Sequence, residues 1–80
     1  MEMYVFVDKH RAEELKIDLE TAPRTPLALS RFLANSGLTP VSDYRAFMSH
    51  DLMYTHSDSV KEFEVIRKNP EYQLLVASGN

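Results

Sequence analysis

Met3-Tyr4-Val5-Phe6-Val7 is apolar at every position and is bounded by Glu2 and Asp8. It reads as a β-strand with Tyr4 and Phe6 on one face and Val5 and Val7 on the other. A strand that is apolar on both faces needs cover on both, which places it inside a sheet rather than at an edge. In a chain this short, part of that cover can come from a second copy of the molecule.

Residues 9–20 carry two patterns at once. Ala12-Glu13-Glu14-Leu15-Lys16 is a helix-forming run, and Ala12, Leu15 and Leu19 would share a helical face. Leu15 to Glu20 alternates strictly between apolar and charged, which is the strand pattern, and Ile17 falls off the helical stripe. A helical turn followed by a strand accommodates both.

The pattern is plainest from residue 25. Thr25 stands at an N-cap position and Pro26 at the first helical position, where its missing N–H costs nothing. Leu29, Phe32 and Leu33 form an apolar stripe, and Gly37 supplies a left-handed residue after the helix. Thr39-Pro40 repeats the start signal, and Val41, Tyr44, Phe47 and Met48 continue at helical spacing. This predicts two helices joined by a tight turn. Asp51 to Ser57 reads as loop. Ser57-Asp58-Ser59 caps a further helix that carries Val60 and Phe63 and stops before Asn69-Pro70. Tyr72 to Ala77 reads as a strand. A competing parse pairs residues 62–67 with 72–77 as a β-hairpin.

The expected fold is therefore a small single α+β domain over residues 1–80. Two or three strands, including residues 3–7 and 72–77, are packed by helices at about 26–36, 40–50 and 59–68, the first two forming a helix-turn-helix-like pair.

Composition narrows the function. Eighty residues make one domain, which hides only about two-thirds of its unfolded surface and leaves little material for a substrate cleft. With 44% apolar and 26% charged residues, the chain has the composition of a folded protein rather than a disordered one. The two glycines, Gly37 and Gly79, cannot build a phosphate-cradling loop, so the common nucleotide, nicotinamide and flavin sites are not expected, and no cofactor is. The absence of cysteine removes disulfides, thiolate metal sites and a thiol nucleophile, and favours a cytoplasmic location. No apolar run approaches the length of a membrane span, so no membrane partner is expected.

The net charge is −3, against the basic excess that non-specific phosphate binding requires. Only residues 21–40 are locally basic, at +2. A helix-turn-helix reader of DNA would nevertheless use Arg31, Ser42, Arg45 and Ser49, with nucleic acid as partner. The plainer reading of the helix pair is a packing unit.

His50, Asp51, His56 and Asp58 set four imidazole and carboxylate groups within nine residues, the donor types that zinc or a redox metal takes. Their spacing matches no helix-face ligand signature, and solvated loop residues are the plainer reading. Ser49-His50-Asp51 is contiguous, so its side chains diverge and cannot orient one another as a triad.

The feature left over is an apolar surplus in Phe47, Met48, Leu52, Met53 and Tyr54. Methionine beside aromatics serves as core filler and also as adaptable binding surface. Elimination and this surplus together lead to a non-enzymatic interaction protein of inhibitor or adaptor type, as bacteria and mobile elements encode. Its partner would be a protein, met through Met48, Leu52, Met53 and Tyr54 with Arg45 and Asp51 at the rim. A homodimer is compatible with the same features.

Overall fold

The computed structural model describes residues 1–79 and shows a three-stranded antiparallel sheet with three helices, an α+β domain. The elements run β1 (Glu2–Asp8), α1 (Lys9–Glu14), a 3-10 turn (Leu19–Thr21), α2 (Pro26–Asn35), β2 (Tyr44–Met48), a second 3-10 turn (Ser49–Leu52), α3 (Asp58–Ile66) and β3 (Tyr72–Ser78). The strand order β2-β1-β3 puts the two-faced apolar strand in the centre, as its pattern requires.

Register assigns the faces, because directly opposed residues point to the same side. Val5 faces Leu75 and Ala46, while Met3 faces Ala77 and Met48. This face is sealed by Ala12 of α1, by Leu19 and Ala22, by Leu29 and Leu33 of α2, and by Leu38. Val5, Val7, Leu29 and Leu75 are fully enclosed. The opposite face carries Tyr4 and Phe6 of β1 beside Phe47 of β2. There α3 lowers Phe63 into the group, its ring 5.6 Å from Tyr4, 5.3 Å from Phe6 and 5.5 Å from Phe47, edge-on to each. Edge-to-face packing of this kind adds about 0.5–1.5 kcal/mol per pair beyond area burial.

Local chemistry explains the boundaries. The Asp8 carboxylate accepts the His10 and Arg11 N–H groups and starts α1 directly from β1. That helix ends in a Schellman motif: Lys16 takes φ 56°, its N–H donates to the Glu13 carbonyl, and the Ile17 N–H donates to the Ala12 carbonyl. This closure corrects the strand expected over residues 15–20. Ile17 follows the left-handed residue and packs against the core, so the alternation belongs to a helix end and a 3-10 turn capped by Asp18.

α2 matches its sequence signals, with Pro26 at its start, although the Thr25 side chain makes no capping bond. Gly37 follows it at φ 90°; a Cβ there would lie 3.7 Å from Leu15, so conformation rather than space calls for glycine.

The helix expected at 40–50 is not formed, and with it goes the helix-turn-helix-like pair. Residues 44–48 are β2 instead. Two causes are visible. Residues 39–43 form a closed loop, in which the Asp43 carboxylate accepts the Thr39 N–H at 2.7 Å and the Asp43 N–H donates to the Thr39 carbonyl at 2.8 Å. Val41 then lies at φ 75°, a left-handed conformation costly for a β-branched residue, which interrupts any helix there. β1 in turn needs a neighbour on its second edge, and pairing Tyr4 with Phe47 supplies both backbone partners and apolar cover. Tertiary pairing overrides a helical stripe that also fits a strand. The hairpin over 62–67 and 72–77 is likewise absent, since α3 runs through Ile66 on a Ser57 cap.

The two faces differ in what they lose on mutation. Leu29→Ala should cost about 3 kcal/mol by opening a cavity in the sealed face. Phe63→Ala should cost about 2 kcal/mol, the ring being only half-buried, and should release α3 while leaving β1–β3 paired. Urea unfolding with amide NMR measures both.

Candidate binding surface on the β2–α3 flank

α3 lies over β1 and β2 but buries no residue of its own. Between its outer side and β2 runs a groove of about 360 Å³ lined by Arg45, Phe47, Lys61, Glu62, Val65 and Ile66. Arg45 bridges the groove wall by an ion pair with Glu62, and its guanidinium stands 5.4 Å from the Phe47 ring centroid. Val65 projects beside the groove and is 73% exposed. At one end of β2, Val41 is 70% exposed. Beyond the other end, Met53 and Tyr54 are 73% and 71% exposed. The apolar surplus of the loop is thus in part on the surface, in Met53 and Tyr54.

The residues expected to meet a partner are divided by this arrangement. Met53 and Tyr54 are on the surface, and Arg45 is in the groove wall. Leu52 is half-buried. Met48 points to the opposite sheet face and packs against the main core. Asp51 sits with His50, Oδ1 at 3.1 Å from Nε2, on the exposed 3-10 turn. Val65, Ile66 and Val41 were not anticipated. Ile66 belongs to the helical stripe of Val60 and Phe63, whereas Val65 stands two residues, about 200°, from Phe63 and so lies off that stripe.

The set expected for DNA is scattered over unlike elements. Arg31 is on α2, Ser42 in the 39–43 loop, Arg45 on β2 and Ser49 at the start of the second 3-10 turn. No helix follows the turn glycine to enter a groove. Among the described residues, no three His, Asp or Glu side chains converge where a metal ion could sit; His56 and Asp58 are exposed to solvent apart from the His50–Asp51 pair. No helix of the structure is long and apolar enough to cross a membrane.

Perturbed ionisation follows surface hydrogen bonds, not a buried site. The Tyr4 hydroxyl donates to Glu2 Oε1 at 2.7 Å, and this bond, with some desolvation and the nearby carboxylate charge, raises the phenol above its ordinary pKa. Glu64 accepts from Arg67 Nε at 3.1 Å and Nη2 at 2.8 Å, which lowers the carboxyl and raises the guanidinium. None of these groups lines a cleft of the kind that tunes a catalytic acid or base.

Comparison with protein-family models, curated proteins and solved structures gives no match for this chain.

The Tyr4–Glu2 bond makes a pH prediction. A phenol held above its unfolded pKa adds stability below that value and loses it as pH rises through the folded value. Glu2→Gln should therefore move Tyr4 ionisation to lower pH in an ultraviolet titration, with the acid side of the stability profile unaffected by this bond.

Proposed function

We propose that the chain is a non-enzymatic binding module, of inhibitor or adaptor type, that acts by holding another protein on the β2–α3 flank. One observation carries this reading: a groove walled by Phe47, Val65 and Ile66 has Val65 73% exposed, and the segment leading from β2 into α3 leaves Met53 and Tyr54 73% and 71% exposed. Isolated exposed apolar side chains are ordinary on any protein. Several in the β2–α3 region, together with a groove whose arginine stands over its aromatic wall, match the composition of interface cores, where aromatics, methionine and arginine are enriched. The charged rim of Lys61, Glu62 and Asp51 fits the polar border such surfaces carry. A cysteine-free surface of this kind operates unchanged in a reducing cytoplasm, the compartment we assign to it.

The double variant Met53→Ser/Tyr54→Ser tests this without endangering the fold, because both side chains already face solvent. The expected result is a wild-type far-ultraviolet spectrum and melting curve, with loss of a protein that the unmodified chain retains from extracts of its native cell. An identical set of retained proteins for both chains would contradict the reading.

A further inference from the structure

We infer that the β2 edge is a self-association surface on which a second copy of this chain pairs β2 with β2 about a two-fold axis, giving a continuous six-stranded sheet. The inference rests on the reading of the β2–α3 flank as a contact surface and names its occupant.

Backbone parity comes first. The Asp8 N–H donates to the Asp43 carbonyl, so even residues of β1 bond toward β2, and Tyr4 and Phe6 pair with Phe47 and Arg45. Even residues of β2 therefore face outward. Tyr44 does so, and its carbonyl is taken by the Val41 N–H at 2.8 Å. The outward N–H groups of Ala46 and Met48 meet no backbone acceptor among the described residues. An antiparallel second copy with Phe47 opposite Phe47 sets Ala46 opposite Met48. Each Ala46 N–H then reaches the other copy's Met48 carbonyl, and each Met48 N–H its Ala46 carbonyl. The pairing stops where it must: β2 ends at Met48, and the 3-10 turn carries the chain away before it would meet the Val41 strap of the other copy.

The helix layer fits the same operation. Phe63 is nearly equidistant from the rings on β1 and β2, so α3 runs over the space between those strands. With strands about 4.8 Å apart, pairing at the β2 edge puts the two α3 axes about 10 Å apart, the distance at which helices pack. Val65 of each copy then enters the groove of the other. Lys61 and Glu62 are neighbours on that flank, and antiparallel apposition brings each copy's cation toward the other's carboxylate. Val41 at one end of β2 comes toward the Met53–Tyr54 end of the second copy.

The other edge is less suited. On β3 the outward N–H groups of Tyr72 and Ser78 already donate to the Asn69 and Arg24 carbonyls at 3.2 and 2.9 Å, which leaves Leu74 and Val76 as its free edge, and the groove that would receive Val65 lies on the β2 side.

Light scattering on the full chain from micromolar to millimolar concentration tests the inference. Expected is a mass of twice 9.2 kDa, reduced to one chain by Val65→Lys and by Ala46→Pro, and unchanged by Leu74→Lys on the far edge. Proline at 46 removes only the outward N–H, as edge strands tolerate. Should Ala46→Pro unfold, Val65→Lys with a wild-type spectrum decides alone. A monomer at every concentration, or a dimer that survives Val65→Lys and dissociates with Leu74→Lys, overturns the inference. A monomer that still retains a protein through Met53 and Tyr54 would leave the binding reading standing and remove only the second copy as occupant.

Discussion

The double-sided apolar character of β1 is the constraint from which the rest of the architecture follows. A strand with Val5 and Val7 on one face and Phe6 on the other, all essentially buried, obliges a small chain to build two layers of cover around one sheet. The two layers are unequal. α1, α2 and the connection between them enclose the Val5 face, whereas the Phe6 face depends on one nine-residue helix and the ring of Phe63. The unevenness is energetic as well as geometric. The first layer is bonded to the sheet and its flanking loop at several points, through the Asp8 cap on α1, the Arg11–Asp43 contact and the Ser78 N–H on the Arg24 carbonyl, while α3 rests on an aromatic cluster with an ion pair beside it.

Function in this reading grows from the incomplete layer. α3 covers Phe47 and leaves Leu74 and Val76 of β3 partly exposed, while on its other side a groove, the exposed Val65 and the free N–H groups of Ala46 and Met48 border the β2 edge. Such a border either takes up another chain or exposes an edge to uncontrolled pairing. The left-handed Val41 is consistent with this: the strap it belongs to occupies the Tyr44 carbonyl and shortens the free edge to Ala46 and Met48. The perturbed groups Tyr4, Glu64 and Arg67 are each explained by a surface hydrogen-bond partner.

How much of this was legible depended on whether a signal was local. β1, α2, α3 and β3 are announced by apolar runs, Pro26, Gly37 and the Ser57 cap, all of which act within a few residues. Residues 44–48 were misread because Val41, Tyr44, Phe47 and Met48 satisfy a helical stripe, and what decides against it lies elsewhere: the need of β1 for a second neighbour and the closure of the loop by Asp43 with Thr39 and Arg11. The alternation from Leu15 to Glu20 misled for a similar reason, since a left-handed lysine is not advertised by its residue type. At the candidate surface, exposure of Met53 and Tyr54 could be suspected from an apolar loop. Val65 carries a similar signal, since it stands two residues, about 200°, from Phe63 and so off the stripe that faces the sheet.

Native-state hydrogen exchange measures the asymmetry directly. Amides of β1 should exchange only on global unfolding, those of α3 through a partial opening of lower free energy, and those of Ala46 and Met48 fast in the dilute chain and slowly once it associates. Protection of α3 equal to that of β1, with Ala46 and Met48 unprotected at every concentration, would contradict the account.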